Sequence, residues 1–231
     1  MVKIQTIEKL FFTYLLEYSY LFLLLAFLFS KAKKVPNYFI IGIYGLIFFS
    51  LLHYYDLIPN AFLKRYQYIY TFLEYTFLTA LMFIFIKNVS VRRFMIIMSA
   101  LFIIFQIVHF QITKKQKLDS VVIAVETIII FLFILLYLRQ FFKDNVTNNI
   151  YEFPSFWIVV GILIYLGFGF FFNILVNYIP QDQFDSYWHF TFIPEIIKNI
   201  LFGMVVLGYP SPTIENNKKS IHLDIPNLDL I

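Results

Sequence analysis

Long apolar runs, separated by short clusters of charged and turn-forming residues, set the rhythm of this chain. A helix needs about 20 mostly apolar residues to cross the hydrocarbon of a bilayer. Seven stretches have roughly that length: residues 10–30, 37–55, 67–87, 93–112, 119–140, 154–178 and 190–209. The pattern predicts an all-α polytopic membrane protein, a bundle of seven transmembrane helices occupying residues 1–210. Residues 211–231 are left as a short C-terminal tail, in which Ile221, His222, Leu223, Asp224 and Ile225 alternate as a docking strand would. The first run is followed by Lys31, Lys33 and Lys34, not by small residues, so it reads as a span and not as a cleavable signal.

Composition agrees with the pattern. Of 231 residues, 61% are hydrophobic, 22% aromatic and 14% charged, and mean hydropathy is +0.77. A soluble domain carries about 25% charged residues, so a soluble enzyme, a nucleic-acid binder and a disordered chain are all excluded. With no cysteine, disulfides, thiolate metal sites and a thiol nucleophile are excluded too. The net charge of +4 then acts as a topology signal. Ten basic residues fall on one side of the predicted spans: Lys31, Lys33, Lys34, Lys87, Arg92, Arg93, Arg139, Lys143, Lys218 and Lys219. Seven fall on the other: Lys3, Lys9, Lys64, Arg65, Lys114, Lys115 and Lys117. The positive-inside rule then predicts an inner (cytoplasmic) membrane protein with its N-terminus out and its C-terminus in.

Charges that do not mark helix ends are the candidates for function. Thr13 to Leu21 and Tyr70 to Leu78 share Leu-Glu-Tyr followed by a hydroxyl residue and an aromatic, at an offset of 57 residues. This suggests two-helix repeats. Glu17 and Glu74 occupy the shared position, and the fifth and seventh segments carry Glu126 and Glu195. Each glutamate lies 13 or 14 residues before the inner end of its segment, about 20 Å at 1.5 Å per residue. The four carboxyls are therefore expected in one layer in the outer half of the membrane. His53, His109 and Asn173 on the even segments fall near the same level, and Lys198 follows Glu195 on the same face at i, i+3. Charged side chains inside a bilayer are costly and usually face a bundle interior.

Several chemistries can be weighed against this layer. A catalytic zinc site needs three His, or two His and a carboxylate, at fixed spacing. The segments supply only His53 and His109, so no metal site, no haem and no other cofactor is expected. Glu195-x-x-Lys198 is not the Asp-x-x-x-Lys spacing of the microbial rhodopsins. A proton or ion pathway suits intramembrane carboxylates, but the inverted repeats of a transporter are not evident. Gly161, Gly167 and Gly169 in the sixth segment offer close helix packing or a hinge.

Residues 153–205 carry the most distinctive motifs. Phe153-Pro154-Ser155-Phe156-Trp157-Ile158 leads to Gly161-Ile162-Leu163-Ile164-Tyr165, and Lys198-Asn199-Ile200-Leu201 follows in the seventh segment. This resembles small bacterial seven-span membrane proteins that also form the N-terminal sensor half of some histidine kinases. The resemblance implies a sensing or signalling module and names no ligand. The expected function is a non-enzymatic membrane sensor or accessory subunit. It would bind a small ligand or proton through Glu17, Glu74, Glu126, Glu195, Lys198, His53, His109 and Asn173. Its expected partners are the lipid bilayer and a histidine kinase or other separate protein, with no nucleic acid, because the tail is too short for an output domain. The alternatives are a small ion or proton channel or transporter subunit, and then an intramembrane metal-dependent enzyme.

Overall fold

The structure is a computed structural model that describes residues 2–30, 36–59, 62–113, 120–144, 150–175 and 188–208. The expected tail, 211–231, lies outside these residues. Seven α-helices are described: α1 (Val2–Phe29), α2 (Pro36–His53), α3 (Leu63–Phe85), α4 (Val89–Ile112), α5 (Ser120–Asp144), α6 (Pro154–Leu175) and α7 (Phe192–Gly208). Short 3₁₀ turns precede α6 and α7 and follow α2. Among the described residues there is no strand.

Five of the helices are long and apolar enough to cross a membrane: Leu10–Phe29 within α1, α3, α4, Val121–Asp144 within α5, and Pro154–Phe172 within α6. The apolar part of α2 is Tyr38–His53, and α7 has 17 residues, at the short limit for a span. The expected boundaries shift at several ends. α1 begins at Val2 instead of near residue 10, because Lys, Gln and Glu are good helix formers and continue the helix outside the apolar run. α4 begins four residues earlier than expected. There the Asn88 side chain accepts from the Ser90 and Val91 amides as an N-cap.

Polar contacts fix the directions. Lys64 at the start of α3 donates to the carbonyls of Phe110 (3.0 Å) and Thr113 (2.5 Å) at the end of α4. Gln140 near the end of α5 accepts the amides of Lys87 and Asn88 in the α3–α4 turn. Tyr66 near the start of α3 donates to the Leu51 carbonyl in α2, and Tyr137 of α5 donates to Ser155 of α6. Successive helices are thus antiparallel. Phe12, in the first half of α1, packs on Phe190 in the 3₁₀ turn that leads into α7, so these odd helices begin at the same end of the bundle, taken as the upper end.

Neighbour contacts run α1–α2, α2–α3, α3–α5, α5–α6, α6–α7 and α7–α1. They close a ring of six helices, while α4 packs outside it against α3 and α5. Met95, Phe102 and Gln106 are its buried residues. Its remaining surface, including Ile97, Leu101, Ile104 and Val108, is exposed and apolar, as suits a helix facing lipid. The expected two-helix repeats do not appear as a repeated packing unit, since α2 and α6 lie in the ring and α4 does not.

Candidate functional site

The lower part of the ring is filled by apolar side chains. Leu23, Ile41, Leu78, Leu81, Phe133, Ile158, Phe202 and Val206 are all fully buried or nearly so. Above them the interior turns polar, and each of the six ring helices contributes. α1 brings Ser19 and Tyr20, α2 Tyr44, α3 Tyr70 and Glu74, α5 Glu126, α6 Tyr165, and α7 Glu195, Lys198 and Asn199.

Lys198 is the centre of this cluster. Its side chain is 0% exposed and its Nζ lies 3.6 Å from Oε1 of Glu74, itself 9% exposed. Glu74 is the central residue of α3, about 16 Å from either end. The ammonium stands over the Tyr165 ring, 3.6 Å from its centroid, and 5.3 Å from that of Tyr44. Such a cation–π contact is worth about 2 kcal/mol when desolvated. α6 packs on this region at Gly161 with room for a methyl group. A Cβ there would lie 3.5 Å from both the Leu201 side chain and Lys198 Cα, whereas at Gly167 it would meet nothing within 4 Å.

Glu195 sits one turn above Lys198, in the first turn of α7. There the free amides and the helix dipole favour a carboxylate. Tyr20 donates to Glu195, and Tyr70 donates to the same oxygen at 2.8 Å. The hydroxyls of Tyr20 and Tyr44 are 3.3 Å apart. Asn199 donates to Ser19 (2.9 Å), whose hydroxyl donates in turn to the Leu16 carbonyl (2.7 Å). Glu126 is buried on α5 within reach of the charges of Glu74 and Lys198.

Three of the four predicted glutamates, with Lys198, are therefore in one buried cluster. Glu17 is not. It pairs with His53 at 2.7 Å in a contact where the side chains are 20% and 58% exposed. The reason lies in register. In α1 the buried positions include Leu16, Ser19, Tyr20 and Leu23, and in α3 they include Thr71, Glu74, Tyr75 and Leu78. These faces align at an offset of 55 residues, not the 57 of the shared motif. Two residues turn a side chain by about 200° around a helix, so Ser19 takes the place equivalent to Glu74. His109 is also outside the cluster. Its Nδ1 is 2.7 Å from the Tyr68 hydroxyl, and Gln106 beside it donates to the Tyr68 carbonyl; both join α4 to α3. The side chain of Asn173 lies outside the described residues.

The sequence reading missed the tyrosines Tyr20, Tyr44, Tyr70 and Tyr165 and the inward place of Asn199. With 17 tyrosines in the chain, composition could not single these out. Two local signals existed: Tyr70 is one turn from Glu74, and Asn199 adjoins Lys198 on a helix otherwise apolar below Glu195. Among the described residues, no group of three or more His, Asp or Glu side chains is placed to hold a metal ion. Comparison with known protein families, with curated proteins and with solved structures finds no match.

Proposed function

We propose that this chain is a non-enzymatic integral membrane sensor or accessory subunit. A small ligand or a proton acts on the buried cluster, and the response is a shift of α7 against α1 and α6 that a separate protein reads. All seven helices span the membrane, with the N-terminus out and the C-terminus in, so that the cluster runs from mid-membrane at Glu74 into the outer half at Glu195. A histidine kinase or another membrane or cytosolic protein is the partner, in keeping with the sensor-module resemblance of residues 153–205.

The observation that carries this reading is Lys198. It is fully buried, paired with Glu74 on a helix across the ring, and placed on the helix that packs against both α1 and α6. Truncating one member of such a pair leaves an uncompensated buried charge. Any event that changes the charge of the cluster therefore acts directly on the seating of α7. The packed apolar layer below favours a response by helix movement over passage through the ring.

The test is purification of the full chain in a mild detergent, identification of what copurifies, and reconstitution in liposomes. A specific copurifying membrane or signalling protein with no ion flux supports the sensor. Flux that falls in Glu74→Gln or Glu126→Gln would replace it with a channel or transporter. Bound metal or lipid turnover would replace it with an enzyme.

A further inference from the structure

The unpartnered polar atoms of the cluster bear on what it binds. Among the described residues, Glu74 Oε1, Glu126 Oε1, Asn199 Oδ1 and Lys198 Nζ are buried with no hydrogen-bond partner. Buried polar atoms in folded proteins almost always have one, so each exception needs a physical reason. The three carboxyls of the cluster are not alike. Glu195 receives two tyrosine hydroxyls and the start of a helix. Glu74 has the ammonium. Among the described residues, Glu126 has neither a tyrosine donor nor an ion pair of its own, and it lies within reach of the charge of Glu74.

Three carboxyls facing one ammonium leave a surplus of negative charge that a dry interior does not tolerate. A metal ion would need several converging ligands, and the described residues offer no such group. A proton needs one oxygen. We infer that the ligand of the cluster is a proton carried by Glu126, and that Lys198 moves from Glu74 toward Glu126 when that proton leaves. This deepens the sensor reading and rests on it.

The step balances in charge and atoms. The Glu126 O–H bond breaks, the proton passes to water, and the electron pair stays on the carboxylate. The Lys198 ammonium then meets the new negative charge. Lys198 has three N–H donors, and none is held by a hydrogen bond. The face of the Tyr165 ring supports the ammonium without fixing its direction.

The titratable groups whose charge bears on Glu126, or on which its charge bears, are Glu74 and Tyr75 on α3, Lys198 on α7 and Tyr44 on α2; the Tyr75 hydroxyl donates to Ser99 on α4. Tyr165 of α6 lies under the ammonium. α4 also packs on α5 but takes its titratable side chains elsewhere, His109 to Tyr68 and Arg92 to the Ile86 carbonyl, while Arg93 is exposed.

Infrared difference spectra of the full chain in liposomes, recorded between two pH values, test the inference. The expected signal is the carbonyl stretch of a protonated carboxylic acid, shifted by deuterium. It should be lost in Glu126→Gln, remain at a shifted frequency in Glu126→Asp, stay unchanged in Glu17→Gln, and move in Lys198→Met. A band that survives Glu126→Gln, or one lost only in Glu74→Gln, overturns the assignment. The same difference spectrum produced by sodium at constant pH assigns the cluster to a cation and overturns it too. Should Glu126→Gln fail to fold, Glu126→Asp decides, because an unshifted band excludes Glu126. The readout needs no partner protein, so a band without a partner overturns the sensor reading alone, and a partner without a band overturns this inference alone.

Discussion

Replacing Lys198 by methionine keeps the volume and removes the charge. The ammonium is 3.6 Å from Glu74 with both side chains nearly or fully buried. At an effective dielectric of about 20, two unit charges at that distance attract by about 4–5 kcal/mol. Breaking a buried pair by removing one partner typically costs about 3–5 kcal/mol, because the remaining charge has no compensation. Lys198→Met and Glu74→Gln are each expected to destabilise the fold by about that amount. The double variant should regain part of the loss, since no buried charge is then orphaned, and the coupling should fall at about 1–3 kcal/mol. Unfolding in mixed micelles titrated with a denaturing detergent, followed by far-ultraviolet circular dichroism, gives all four corners of the cycle. Additivity within about 0.5 kcal/mol would refute the pairing on which the role of Lys198 rests.

Glu195→Ala strips Tyr20 and Tyr70 of their acceptor and should cost about 1–3 kcal/mol for each stranded hydroxyl. Glu17→Gln, in an open pair with a mostly exposed His53, should cost under about 1 kcal/mol; the same micelle titration compares them. Gly42→Ala would drive a methyl into the Phe27 ring, whereas at Gly161 it makes ordinary contact at 3.5 Å. The first should cost about 1–3 kcal/mol and the second little, read as thermal midpoints in detergent. Lys64→Met removes the two bonds that cap the end of α4. It should cost about 1 kcal/mol and speed amide exchange in the last turn of α4.

The helices were legible because an apolar run of about 20 residues leaves a chain little choice in a bilayer. Their ends were less so. Asn88 as a cap and the polar first turns of α1 depend on local hydrogen bonding and helix propensity, not on hydropathy. The ring order was not legible, since helices that are apolar on most sides carry little periodic signal about which face meets which neighbour. That is why α4, more apolar than α1 and α3 but less so than α5 and α6, gave no sign of lying outside. Depth was the most useful coordinate, and it led to Glu74, Glu126, Glu195 and Lys198. Azimuth was missing, and it separated Glu17 from them. The Leu-Glu-Tyr motif repeats the residues but not the buried face around them. Testing which offset best superposes the neighbouring small and aromatic positions would have pointed to Ser19 and Tyr20 instead.

The most direct measurement is the distance between the Lys198 nitrogen and the Glu74 carboxyl carbon in the full chain in lipid. Solid-state NMR dephasing between ¹⁵Nζ-lysine and ¹³Cδ-glutamate gives it, with Glu74→Gln assigning the signal. A Lys198 resonance dephased at about 4 Å, the contact range of a salt bridge, and silent in Glu74→Gln is the result expected of a buried, paired lysine at the centre of the ring. A Lys198 nitrogen that shows no glutamate coupling and exchanges freely with bulk water would contradict it.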